Sequence, residues 1–139
     1  MKQVFADTFF FVALLDRSDD WHERARIASL MLEDTVVVTS DAVMVEFVNF
    51  FSNHNAAIRQ RVVKRVHLIL EVPEFHVLPM TRSAMLSGLS LHASRSDKGY
   101  SLTDCISMQM MRELGLFDIL THDHHFAQEG FVPLLRRES

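Results

Sequence analysis

The sequence predicts an α/β protein, a central parallel sheet of four to five strands with helices on both faces. Short β-branched or apolar runs alternate with longer stretches of helical periodicity, the order that builds βαβ units and therefore parallel strands. The chain also holds only 4 glycines and 3 prolines in 139 residues, so it reads as continuous secondary structure with short connections, organised as one domain over 1–139.

Val4-Phe5-Ala6 reads as a short buried strand that ends at Asp7, with a helix beginning at Thr8. Over 19–33, Trp21, Ala25, Ala28 and Leu32 recur on one face of a helix. Val36-Val37-Val38 is a β-branched strand. Helices over 42–52 and 56–70 follow, separated by the polar Asn53-His54-Asn55. Phe75 to Leu78 gives a third strand, closed by Pro79. The stretch 81–94 is helical, and Asp97-Lys98-Gly99 forms a polar loop. A Met-rich helix over 102–114 stops at Gly115, a residue suited to a helix end. Asp118 to Thr121 is a fourth strand, and 130–134 a fifth at an edge that tolerates Pro133.

Hydrophobic residues make up 48% and charged residues 23%, the balance of a soluble globular domain large enough to bury its own core. The formal net charge of -4 counts against holding nucleic acid by wholesale neutralisation of phosphates. It leaves open an acidic enzyme that meets phosphate through a bound cation. Cys105 is the sole cysteine, so no disulfide forms within the chain, and its apolar neighbours make it a small buried hydrophobe. The apolar run 9–15 is far short of the ~20 residues that span a bilayer. Asp7 precedes that run and no small-residue cleavage site follows it, so the expectation is a cytoplasmic protein without membrane contact.

In an open parallel sheet, sites form beyond the carboxyl ends of the strands. Asp7 and Asp123 fall at two such ends. Each also has a purely structural reading, Asp7 as a helix N-cap and Asp123 as a turn aspartate. Glu46 falls between Val43 and Phe50 on the helical wheel, inside the stripe that should face the core, where an ionised carboxylate is costly unless paired or bound to a cation. Asp104 lies in the first turn of the Met-rich helix, and Ser101 three residues earlier would also suit it to a capping box. Singly each signal is weak. Together they bring four acids toward one crevice, and clustered carboxylates persist mainly where a divalent cation offsets their repulsion. Oxygen-only ligands favour Mg²⁺ or Mn²⁺, and the pattern suits metal-assisted attack of water on a phosphodiester.

Several ordered blocks carry a family resemblance: Phe5-Ala6-Asp7-Thr8 with Ala13-Leu14-Leu15-Asp16, Asp20-Trp21-His22, Val45-Glu46-Phe47-Val48-Asn49, Ser101-Leu102-Thr103-Asp104-Cys105-Ile106-Ser107, and Thr121-His122-Asp123-His124-His125-Phe126 leading into Gly130-Phe131. In this order the chain resembles the PIN-domain nucleases, particularly the VapC-like toxins of type II toxin–antitoxin systems. The resemblance implies a PIN-like fold and a Mg²⁺-dependent endoribonuclease, with Mn²⁺ as substitute, acting on RNA and held in check by a small antitoxin protein. It also implies a homodimer. Asp7, Glu46, Asp104 and Asp123 match the acidic quartet, with Asp7 and Asp104 as direct metal ligands and Glu46 and Asp123 acting directly or through water. Thr8 and Thr121 match the hydroxyl positions flanking the site. Phe9 departs from the small residue that often follows Asp-Thr in related sequences, which leaves the mouth of the site open to revision.

Other features point elsewhere or nowhere. Arg59, Arg61, Lys64 and Arg65 make one helix basic, either as a solvated face or as an RNA-steering patch, and Arg82 and Arg95 could approach a substrate groove. His122, His124 and His125 invite a zinc site, but adjacent histidines in a turn seldom complete a tetrahedral one. Phe47, Phe50 and Phe51 fit a core or a subunit contact. The rival functions are a non-catalytic PIN-like module that binds RNA or protein, and a phosphotransfer domain with an aspartate nucleophile. Four intact acids argue against the first. Thr8-Phe9-Phe10 after Asp7 argues against the second, since a phosphatase of the haloacid dehalogenase type would show a second aspartate there.

Overall fold

A computed structural model describes residues 1–135. Five parallel strands form one sheet in the order β3-β2-β1-β4-β5. The strands are β1 Lys2–Ala6, β2 Thr35–Ser40, β3 Phe75–Leu78, β4 Asp118–Leu120 and β5 Val132–Pro133. The chain moves from β1 outward to β3, then returns across the sheet to β4 on the other side of β1. Right-handed crossovers therefore put the helices of the first two connections on one face and those of the β3–β4 connection on the other. The reversal leaves a crevice between the carboxyl ends of β1 and β4.

The expected fold stands, with shifted boundaries. Helix α1, Thr8–Leu15, buries most of its circumference, as its nearly unbroken apolar sequence demands. The helix expected over 19–33 is shorter: α2 runs His22–Leu30. Asp16 accepts from the Ser18 N–H at 3.0 Å and Asp19 from the Trp21 N–H at 2.8 Å, so carboxylates bind the backbone into turns before the helix starts. Its expected face is nonetheless the packed one, with Ala25 fully buried and Trp21, Ala28 and Leu32 against the core.

Strand β2 is longer than Val36-Val37-Val38 because two polar residues extend it inside the protein. The Thr39 hydroxyl donates to the Ala6 carbonyl at 2.9 Å, and Ser40 caps α3, Asp41–Phe50, by accepting from the Val43 N–H at 3.2 Å. Helix α4, Ala56–Glu71, is capped by Asn55, and α5, Arg82–Ser94, by Thr81. Gly88 in α5 lies against α6, Leu102–Leu114; a Cβ there would come within 3.1 Å of the Ile106 backbone. Gly115 ends α6 in the left-handed conformation at φ 67°, which a residue without Cβ adopts at no steric cost. A short helix the sequence reading missed, α7 His124–Gln128, follows β4. The fifth strand shrinks from 130–134 to two residues at the sheet edge.

The core gathers on and around β1, with Phe5, Phe10, Phe47, Met108, Met111 and Ile119 fully enclosed. Cys105 is buried and free, as expected. Phe47 and Phe51 are core, whereas Phe50 is 47% exposed, so the stripe expected through Val43, Glu46 and Phe50 turns outward at its end. Among the described residues no helix is long and apolar enough to cross a membrane.

Candidate active site

The crevice between β1 and β4 collects the expected residues from both ends of the chain. Asp7 follows the last residue of β1 and is 1% exposed. It stands at the N-cap position of α1 but makes no side-chain cap hydrogen bond, so the capping reading fails. Its Oδ2 accepts from the Thr121 hydroxyl at 3.0 Å, across 114 residues of sequence. Its Oδ1 is buried without a hydrogen-bond partner, as is the Thr8 hydroxyl beside it. Burial pushes the Asp7 carboxyl well above the usual carboxylate range and the charge of Asp104 adds to this; the Thr8 N–H and the Thr121 hydroxyl oppose it only in part. A buried acid with an unsatisfied oxygen has a strong need for a cation or donor.

Asp104 keeps both of its readings. Its Oδ2 accepts from the Ser101 N–H at 3.1 Å while Ser101 Oγ accepts from the Asp104 N–H at 3.0 Å, a complete capping box. The same carboxylate faces the crevice, where burial and the nearby charge of Asp123 raise its pKa. Asp123 likewise serves two ends. It caps α7 by accepting from the His125 N–H at 2.9 Å, and its own N–H donates to the Thr121 hydroxyl at 3.1 Å. Thr121 thus links Asp7 to Asp123.

His125 is the residue that sequence reasoning weighed only as part of an incomplete zinc site and left out of the acidic group. Its Nδ1 lies 3.4 Å from Asp104 Oδ2 and 3.5 Å from Asp123 Oδ1. Asp104, Asp123 and His125 each offer a donor atom within 4.8 Å of the others, a spacing that one cation could bridge. Ligands ~2.1 Å from an ion stand roughly 3.0–3.4 Å apart in octahedral or tetrahedral arrangements, close to the spacing found. The group thus offers an imidazole nitrogen beside the carboxylate oxygens on which the expectation rested. The signal was available: with Asp123 as N-cap, His125 occupies the second helical position beside it. Of the other two histidines, His122 lies against Trp21 and His124 is exposed, so the three do not form a common site.

Glu46 is half-buried in α3, and its charge bears on both Asp7 and Asp104, yet it lies outside the three-residue group. Arg95, just past the end of α5, has a carboxylate partner. Its guanidinium pairs with Glu129 at 2.9 Å, and Arg112 pairs with the same carboxylate at 2.9 Å. Phe9, whose bulk left the mouth uncertain, packs its ring against His122 at 5.0 Å.

A five-stranded parallel sheet whose switch-point crevice gathers carboxylates defines the class to which this protein belongs. The PIN-domain family model matches residues 4–131, and the chain belongs to that family. The fold is that of VapC20 from Mycobacterium tuberculosis, a toxin that cleaves the sarcin–ricin loop: 23% identity, TM-score 0.80, covering 93% of this chain and 96% of that one. VapBC2 from Rickettsia felis, solved bound to a promoter DNA fragment, matches at 12% identity and TM-score 0.65 over 98% and 97% of the two chains. FitAcB from Neisseria gonorrhoeae matches at 20% identity and TM-score 0.64 over 94% and 96%. No curated protein sequence matches the chain closely enough to count as a relative.

Proposed function

We propose that the chain is a Mg²⁺-dependent endoribonuclease, with Mn²⁺ as substitute, and the toxin of a toxin–antitoxin pair acting in the cytoplasm. The observation that carries the reading is the meeting of Asp7, with its unpartnered buried oxygen, and the Asp104–Asp123–His125 group in one crevice. These residues fit a divalent cation. Asp7 and Asp104 would hold it directly, Asp123 and His125 would complete its surroundings, and Glu46 would act directly or through water. When bound, the cation supplies a polarised phosphate oxygen and a more acidic water for attack on the phosphodiester. Thr121 keeps Asp7 and Asp123 in register, and the Ser101 capping box fixes Asp104 on the rim. Pre-set donors of this kind cost no rearrangement at the transition state.

The likeness to VapC20, VapBC2 and FitAcB supports an antitoxin partner for this chain.

Purified protein incubated with mixed, structured RNA should cut it in Mg²⁺ or Mn²⁺ and stop in chelator. Folded Asp7→Asn and Asp104→Asn variants should each lose at least ~100-fold in rate, since each removes a charge that holds the cation. Cutting that survives chelator, or survives in both variants, would dismiss the metal mechanism. His125→Ala should weaken Mn²⁺ binding, measured by calorimetry, roughly 10-fold or more. Unchanged affinity would remove His125 from the metal's surroundings.

A further inference from the structure

A row of rings stands beside the carboxylates, and hydrolysis makes no use of it. Phe9 lies in the first turn of α1, two residues past Asp7, with its ring 5.0 Å from the His122 imidazole at a tilt of 41°. His122 lies nearly flat on Trp21, 4.3 Å between centroids and 6° between planes. The Arg24 guanidinium carbon stands 5.8 Å from the centre of the Trp21 ring. His122 is the residue between Thr121, which bonds Asp7, and Asp123. The row is thus joined to the crevice at both of the chain segments that build it.

All three rings are half-buried, neither sealed in the core nor free in solvent. Half-buried aromatic rings on the rim of the carboxylate crevice match one chemical class, a planar nucleobase of a single strand.

We propose that Phe9, His122 and Trp21 form a nucleobase-stacking subsite on the rim of the carboxylate crevice, which seats a base next to the scissile phosphate of single-stranded RNA. The subsite rests on the ribonuclease reading above and adds to it a determinant of substrate choice. It gives the bulk of Phe9 a use: the ring narrows the mouth and offers a face for stacking.

Trp21 is the only tryptophan in the chain, so its fluorescence reports on the row alone. The experiment uses the Asp104→Asn variant in Mg²⁺, so that the strand is not cut, titrated with a short mixed-sequence single-stranded RNA and with an abasic strand of equal length. Binding of each is followed separately by anisotropy of a terminal label. RNA should quench Trp21 and bind on the order of tenfold more tightly than the abasic strand. Phe9→Leu and His122→Leu, which keep apolar bulk while losing the ring, should abolish most of that difference, and in the otherwise wild-type enzyme should raise KM more than they lower kcat. RNA binding with unquenched Trp21 and equal affinity for the abasic strand would overturn the subsite while leaving cleavage to stand. Absence of both RNA binding and wild-type cleavage would overturn the subsite and the ribonuclease reading together.

Discussion

Asp7 carries a heavy electrostatic cost. It is enclosed, one oxygen lacks a partner, and Asp104 and Glu46 place further negative charge nearby. Its folded pKa lies above the unfolded value, so the folded state binds the extra proton. In metal-free protein, its contribution to stability should therefore be fully present below the ordinary carboxylate range and lost as pH rises through the raised value. Asp104 shifts the same way and should add to the decline. Thermal unfolding in chelator should show wild type losing stability with rising pH and Asp7→Asn losing less, with the variant melting higher at neutral pH. Wild type melting above Asp7→Asn in chelator would mean that the charge is satisfied in some other way. Sequence reading found this residue because a strand end is a legible address. It could not find the missing partner of Oδ1, which depends on how closely α1 and Thr121 close over the carboxylate.

Element by element, what was legible followed from periodicity, and what was not followed from local hydrogen bonds. The Met-rich helix was read to the residue because Ser101 and Gly115 mark its two ends. The helix after α1 was read too long because turns built by Asp16 and Asp19 leave the apolar spacing of Trp21 and Ala25 undisturbed. Thr39 and Ser40 look like the end of a strand, yet their hydroxyls are satisfied inside it. Gly88 shows the same limit at a packing contact. A glycine inside a helix normally costs about 1 kcal/mol relative to alanine. Here the added methyl would press on the Ile106 side chain and backbone, and overpacking costs ~1–3 kcal/mol. Gly88→Ala should thus destabilise the protein by about 1–2 kcal/mol in denaturant titration, the reverse of helix propensity. A stabilised variant would show that α5 and α6 can part without cost.

At the scale of the whole molecule, Glu129 ties together segments that flank the site. Its side chain, 7% exposed, receives Arg95, Arg112 and the Tyr100 hydroxyl, which joins it at 3.1 Å. Tyr100 in turn packs against His125 at 5.1 Å. Arg95, then burial opposed by Arg112 and Tyr100, leaves Glu129 at about 2, against an ordinary 4.5. Because the folded value is depressed, its contribution is present above the unfolded pKa and is lost as pH falls toward about 2. Glu129→Gln should cost about 2 kcal/mol at neutral pH, less than a fully enclosed ion pair because both arginines are more than one-third exposed. It should also flatten the acid limb of the unfolding curve. An unaltered acid limb would assign that limb to other carboxylates. The sequence reading left Arg95 free to approach a substrate groove because charge alone does not reveal a partner 34 residues away.

The bond from Thr121 to Asp7 also sets a timetable. A chain leaving the ribosome can pair β1 with β2 and then β3 once the first 78 residues have emerged, since those contacts are sequential neighbours in the sheet. The fourth strand must then insert beside the first, and only afterwards do Thr121, Asp123 and His125 meet Asp7 and Asp104. Contacts of such long sequence separation form late. A nascent chain therefore carries no assembled crevice during most of its synthesis, and any hydrolytic capacity is withheld while the polypeptide is still being made beside abundant RNA.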